Sequence, residues 1–154
     1  KEDDDFYSLS VNDVIETSLK IVSNELKYAH EIVKLLDMDI PNINGNHGQL
    51  QQVFVNLFVN AAQAMKKGGQ LTIKSRYHQD SVEVSVRDTG CGMDESVIQH
   101  IFEPFYTTKD VNEGTGLGLS VSYAIVEKHN AVIDVTSEHN EGCTFTLKFP
   151  LMHH

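Results

Sequence analysis

The feature that most restricts what this chain can fold into is the run Gly48 to Lys67, GQLQQVFVNLFVNAAQAMKK. Wound as a helix of about 3.6 residues per turn, it puts Leu50, Val53, Phe54, Leu57, Phe58, Ala61, Ala64 and Met65 on one broad apolar arc. Val55, Val59 and Ala62 make the far side apolar too, so both flanks ask for burial and the rest of the chain must wrap this helix. Between the flanks runs a narrow polar line, Gln49, Gln52, Asn56, Asn60 and Gln63, whose members recur three or four residues apart. A buried amide without a partner costs about 1–3 kcal/mol. The line must therefore either bond to neighbouring backbone inside an ordinary core or face a polar guest.

The flanking segments supply the layer that does the wrapping. Ser10 to Leu26 places Val11, Val14, Ile15, Leu19 and Val22 at helical spacing, with Ser10 and Asn12 as candidate N-caps. Ile32 to Met38 is a short apolar run, read as a strand and closed by Pro41 and the turn-forming Asn42 to Asn46. Asn46 and Gln49 have the spacing of a capping box that opens the central helix, and Gly68-Gly69 end it. Leu71, Ile73, Ser75, Tyr77 and then Val82, Val84, Val86 alternate around His78-Gln79-Asp80, which predicts a hairpin with one buried face. Two more residues along that parity is Asp88, a carboxylate on the core side, followed at once by Thr89-Gly90-Cys91-Gly92.

Glu95 to Ile101 reads as a short helix, and Thr107 to Gly118, polar and with three glycines, as a mobile surface loop. Leu117, Val121, Ala124, Ile125 and Lys128 keep helical spacing up to His129, with Asn130 as a left-handed C-terminal cap. Ala131 to Ser137 and Thr144 to Phe149 form a last hairpin across Glu138 to Gly142. The predicted class is α/β (α+β), a two-layer sandwich whose mixed, mostly antiparallel sheet carries helices on one face.

Bulk properties exclude several partners. A length of 154 residues with 40% apolar content is enough for one core and one domain. The net charge of −10 argues against a nucleic-acid or anionic-membrane surface, so any anionic ligand must be held locally, by backbone N–H groups, a helix N-terminus or a metal ion. The two cysteines, Cys91 and Cys143, lack metal-ligand spacing and suit a reducing compartment, which makes the cytoplasm the expected location. No apolar run approaches the roughly 20 residues of a membrane span, so no membrane contact is expected of this segment. Residues 1–8 are read as a linker remnant, 9–150 as the folded domain, and 151–154 as a tail whose His153-His154 resembles a tag remnant.

Three features bear on chemistry. Asp88 either caps the glycine turn or accepts a hydrogen bond from a ligand amine such as adenine's. Guanine would place an oxygen there, a mismatch that can cost about 10⁴-fold in discrimination. Gly114-Thr115-Gly116-Leu117-Gly118, where a loop runs into a helix, either permits a tight turn or offers N–H donors to a phosphate. It is neither a P-loop nor the dinucleotide GxGxxG pattern. Asn60 is the best candidate ligand for Mg²⁺, which favours few protein oxygens plus phosphate and water, and Asn56 stands one turn earlier.

Four ordered stretches resemble the N, first G, F and second G boxes of the ATP-binding catalytic domain of two-component sensor histidine kinases. They are Asn56-Leu57-Phe58-Val59-Asn60-Ala61, Asp88-Thr89-Gly90-Cys91-Gly92-Met93, Phe102-Glu103-Pro104-Phe105-Tyr106-Thr107-Thr108-Lys109 and Gly114-Thr115-Gly116-Leu117-Gly118-Leu119. The F-box form is similar to that of the nitrogen-regulator-like branch. The resemblance implies the Bergerat ATP-binding fold shared with gyrase, MutL and heat-shock chaperone ATPases. By it Asp88 reads adenine, Asn60 holds Mg²⁺, and residues 106–116 form a lid. It further implies ATP contacts from Asn56, Gly90, Gly92, Met93, Ile101 and Phe102, and from Thr108, Lys109, Gly114, Thr115, Gly116, Leu117, Gly118 and Leu119. Asn56 and Lys109 take the catalytic positions. Lys109 also has a plainer reading, as a solvated loop lysine.

What the resemblance implies for activity is a protein-histidine kinase. It would present the γ-phosphate of Mg·ATP to a histidine on a separate dimerisation domain, with a response regulator downstream and the isolated domain monomeric. The related ATPases carry a glutamate near the Asn56 position. An amide there cannot act as a general base, so water attack is disfavoured. The alternatives are an ATPase or protein serine kinase of the same fold, or an ATP-binding interaction module without catalysis. The chain departs from some kinases in having Gln63 for a lysine and Thr107 for an arginine. Ala29-His30-Glu31-Ile32 echoes a phosphoacceptor box, but no Asn/Thr-Pro follows and the gap to Asn60 is too short for the intervening helices. The other histidines are read as solvated surface residues.

Overall fold

The computed structural model describes residues 5–26, 30–104, 118–138 and 140–151. The chain opens with β1 (Tyr7–Leu9), α1 (Val11–Ile21), α2 (Ser23–Leu26), β2 (His30–Leu36), β3 (Ile43–Gly45) and α3 (His47–Ala64). It continues with β4 (Gly69–His78), β5 (Ser81–Asp88), α4 (Glu95–Ile98), α5 (Gly118–Lys128), β6 (Val132–Glu138) and β7 (Gly142–Pro150).

Five strands make one sheet in the order β2-β4-β5-β7-β6. Among the described residues β2 and β4 pair in parallel, and the other neighbours in this sheet are antiparallel. The period-two pattern read from the sequence decides which face is buried. Leu71 and Ile73, Val82, Val84 and Val86, and Phe145, Leu147 and Phe149 point into the core, while Lys74, Arg76, Arg87 and Lys148 on the opposite parity are exposed. Helices α1 and α5 flank α3 over the inner face, so the predicted two-layer sandwich forms. Phe54 and Phe58, one turn apart on α3, stack at 6.1 Å and are buried. Each such side chain contributes about 1.5–3 kcal/mol.

Local chemistry sets the element ends. Ser10 caps α1 by accepting from the Asp13 N–H, and Asn46 caps α3 by accepting from the Gln49 N–H at 2.9 Å. Gln79 and Asp80 turn the β4–β5 hairpin with φ of 51° and 61°, and Asn130 takes the left-handed position after α5 with φ of 55°.

Several expectations need correction. The helix expected over Ser10 to Leu26 breaks at Val22 into α1 and α2; Val22 and Leu26 stay buried one turn apart, which is why the spacing looked continuous. Asn12 is no cap. It is buried, accepting from the Ser75 hydroxyl at 2.7 Å and donating to the Asp37 carbonyl at 2.9 Å. Part of the Asn42 to Asn46 turn is β3, which pairs with β1 in a separate two-stranded sheet that three-residue strands far apart in sequence do not announce. The short helix expected over Glu95 to Ile101 is only Glu95–Ile98. Val55 and Val59 are half-buried, so the second flank of α3 is less enclosed than its composition asks.

Candidate functional site

The site begins where β5 ends. Asp88 continues the inward parity of Val82, Val84 and Val86, lies opposite Leu71 on β4 and Cys143 on β7, and is 3% exposed. Its Oδ1 accepts from the Gly90 N–H at 2.8 Å, so the capping role does exist. Burial pushes its carboxyl above the usual carboxylate value, and backbone N–H groups of Gly90 and Cys143 partly offset that. The Cys143 thiol beside it is pushed up to about 12, chiefly by burial and then by the Asp88 charge, so it is a neutral neighbour.

The turn after Asp88 is held from three sides. A Cβ at Gly90 would run into the carbonyl of Ala64, and the next N–H, of Cys91, donates to that same carbonyl at 3.2 Å. Gly92 has a φ of 69°, and a Cβ there would strike the Glu138 carbonyl. Met93 N–H donates to Ser137 Oγ at 2.7 Å, and that hydroxyl donates to the Gly142 carbonyl at 2.8 Å. The acid is thus fixed against the last turn of α3.

From Ala64 the polar line runs back along α3 through Asn60 and Asn56, each one turn from the next. Both asparagines are half-buried. Asn56 Nδ2 donates to the Gly118 carbonyl at 3.0 Å and to Ser122 Oγ at 3.2 Å, and Ser122 donates to the same carbonyl at 2.9 Å. The line therefore reaches from the Asp88 turn to the first turn of α5. Ala64 and Asn56, eight positions apart, are separated by about 12 Å along the helix. Gly118 is exposed and opens α5.

Four of the other expected contact residues among those described are apolar. Ile101 is buried, and Met93, Phe102 and Leu119 are half-buried against the core. The Phe102 ring sits 5.1 Å from Tyr123 and 6.4 Å from Phe145. Thr108, Lys109, Gly114, Thr115, Gly116 and Leu117, with most of the expected loop and lid, lie outside the described residues, as does the side chain of His30.

Two residues were not foreseen, Ser122 within this arrangement and His129 at the other end of α3. Ser122 is one turn after Gly118, a spacing that could have marked it as a second polar group on the face toward Asn56. His129 corrects the expectation of solvated histidines: it is 5% exposed, its Nε2 accepts from the Asn46 N–H at 3.0 Å, and its Nδ1 donates to the Ile125 carbonyl at 2.8 Å. Burial, with a smaller effect from Lys128, lowers its pKa below the ordinary histidine value. Val121, Ile125 and His129 share one helical line, but that spacing alone does not say that Asn46 and Phe6 meet the ring.

Comparison with known proteins places residues 45–153 in a family described as histidine kinase-, DNA gyrase B-, and HSP90-like ATPase. Sporulation kinase A of Bacillus subtilis is 46% identical over 108 residues, covering 70% of this chain and 18% of that protein. The signal transduction histidine-protein kinase AtoS of Escherichia coli is 37% identical over 145 residues, covering 93% of this chain and 24% of that protein. The chain thus spans about a fifth of the length of these curated relatives. The nucleotide-free catalytic domain of histidine kinase ThkA superposes with a TM-score of 0.84 at 29% identity, covering 95% of each chain.

Proposed function

Since the chain belongs to the histidine kinase-, DNA gyrase B-, and HSP90-like ATPase family, we propose that it is the ATP-binding catalytic domain of a sensor histidine kinase. It binds Mg·ATP and presents the γ-phosphate to a histidine on a dimerisation domain, which passes it to a response regulator. Residues 9–150 form the catalytic domain, and it works in the cytoplasm.

One piece of geometry supports this above the rest: a buried carboxylate at one end of a line of amides whose other end meets the start of α5. A carboxylate has roughly four lone-pair positions, and two backbone N–H groups reach this one. Acceptor capacity remains for the exocyclic amine of adenine. The amide line, on an acidic protein, adds no negative charge beside a polyphosphate. The donor set fits Mg²⁺, which suits neutral oxygens and few protein ligands. Asn60 would hold it, and when bound the ion would neutralise charge on the phosphates. Asn56, tied to Gly118 and Ser122, orients the first turn of α5 and does not act as a base toward water. Transfer to an imidazole needs mainly this positioning and charge stabilisation.

The test is to mix the chain with labelled Mg·ATP and a purified dimerisation domain bearing the acceptor histidine. Acid-labile, base-stable phosphate on that histidine is the expected result. Phosphate on serine or released to solution would favour the serine-kinase or ATPase alternative, and binding without transfer an interaction module.

A further inference from the structure

Helices α3 and α5 run antiparallel, and side-chain hydrogen bonds tie them near both ends. One tie is Asn56 to Gly118 and Ser122. The other is Asn46 to His129, ten residues back along α3, or about 15 Å. The second tie is unusual in what it replaces. Asn46 and Gln49 have capping-box spacing, and the forward half forms, with Asn46 Oδ1 accepting from the Gln49 N–H. In the return half Gln49 should accept from the Asn46 N–H. That donor goes instead to His129 Nε2, and Gln49 Oε1 is buried with no hydrogen-bond partner among the described residues. The capping spacing thus offers this donor a second acceptor that it does not use, while His129 is engaged.

The histidine is held for that role. Its Nδ1 hydrogen donates to Ile125 one turn earlier, which leaves Nε2 as the acceptor. The ring of Phe6 lies 4.5 Å from the imidazole, and a Cβ at Gly45 would sit 3.0 Å from its Cδ2, so the slot is closed on both sides. The Asn46 side chain also donates to the Asp5 carbonyl at 2.8 Å, joining the segment before β1 to the same knot.

We propose that His129 is a positioning residue of the nucleotide site, acting through the N-cap of α3 and the last turn of α5, with Gln49 as the reserve acceptor for the same N–H. The tie keeps α5 in register with the asparagines of α3, and the segment at Asp5 and Phe6 is thereby linked to that register. This rests on the nucleotide reading above, because the function it assigns to the tie is to hold the two helices that flank the proposed nucleotide.

The experiment is a double-mutant cycle read by Mg·ATP binding in calorimetry, with melting followed separately. His129→Leu removes the acceptor and is expected to weaken binding by about three- to tenfold. His129→Gln, which keeps an acceptor, is expected to restore most of that loss. Gln49→Leu is expected to be silent alone and to cost a further, similar factor in the His129→Leu background, where the reserve acceptor is in use. A merely space-filling histidine would give equal affinities for His129→Leu and His129→Gln and no coupling to Gln49; that result overturns the proposal. If the wild-type chain itself binds no nucleotide, the functional reading falls, and this role with it. If His129→Leu does not fold, the wild-type spectrum decides: the imidazole nitrogens and the Asn46 amide shift on adding nucleotide if the tie is coupled to the site, and stay in place if it is not.

Discussion

Asp88 and His129 are both buried and titratable, and each stands where a different element meets an end of α3, yet their environments are opposite. His129 uses both ring nitrogens inside the chain, one as donor and one as acceptor, so nothing is left to offer a ligand. Asp88 is reached by two backbone N–H groups and keeps acceptor capacity, while burial disfavours its charge. A fold that needed only a stable turn at Asp88 would do as well with a neutral amide. The contrast separates a group satisfied by its own chain from one whose carboxylate is kept at a cost and has capacity to spare. Retention of such a cost is what a binding site requires.

The sharpest way to break the contrast is Asp88→Asn. The substitution keeps size and an acceptor oxygen for the Gly90 N–H but removes the charge, and a mispointed NH₂ would face the adenine amine. Calorimetry should show ATP affinity falling by about 10²-fold or more, while the melting temperature holds or rises because a penalised carboxylate is gone. Loss of stability with retained affinity would make Asp88 a turn cap and nothing else. In the wild type, the same logic has ATP outcompeting GTP by about 10⁴-fold.

The next effect tests whether the two ends differ in rigidity. Gly92→Ala forces a side chain into a positive φ and against the Glu138 carbonyl, and should cost roughly 1–3 kcal/mol in urea unfolding. Gly48→Ala, near the other end, meets only Asn46 Oδ1 at 3.6 Å among the described residues and should cost nothing measurable. Smaller again, Asn60→Ala should weaken the Mg²⁺-dependent part of ATP binding by about tenfold and leave Mg²⁺-free binding alone. An unchanged Mg²⁺ titration would remove it as a ligand.

Much of this was legible in the sequence because it follows local rules. The inward parity of Asp88 is counting by two from Val82, and the Asn56–Asn60 line is counting by four. The β1–β3 pair, the break at Val22 and the burial of His129 were not, since each depends on what a distant segment supplies. His129 is buried because Asn46, 83 residues earlier, and the Phe6 ring happen to meet it. No window of the sequence contains that meeting. The capping box shows the boundary within four residues: its spacing foretold the Gln49 N–H bond to Asn46, but a long-range acceptor took the other half.

The smallest predicted effect is a pair of opposed pH slopes. His129 has a folded pKa below the ordinary 6.5, so the unfolded chain binds its proton first, and stability is full above that value and lost as pH falls through it. Asp88 has a folded pKa above the ordinary 3.8, so the native state binds its proton first, and stability falls as pH rises from 3.8 through the folded value. Urea midpoints measured from about pH 4 to 8 should therefore change in opposite senses in the two variants. His129→Gln removes a gain of stability with rising pH below neutrality, and Asp88→Asn removes a loss at lower pH. Other carboxylates titrate in the same range, but they cancel in the difference between wild type and each variant. Should both differences slope the same way, the two groups are not in opposite electrostatic conditions, and the distinction between a self-satisfied end and a ligand-facing end of α3 is lost.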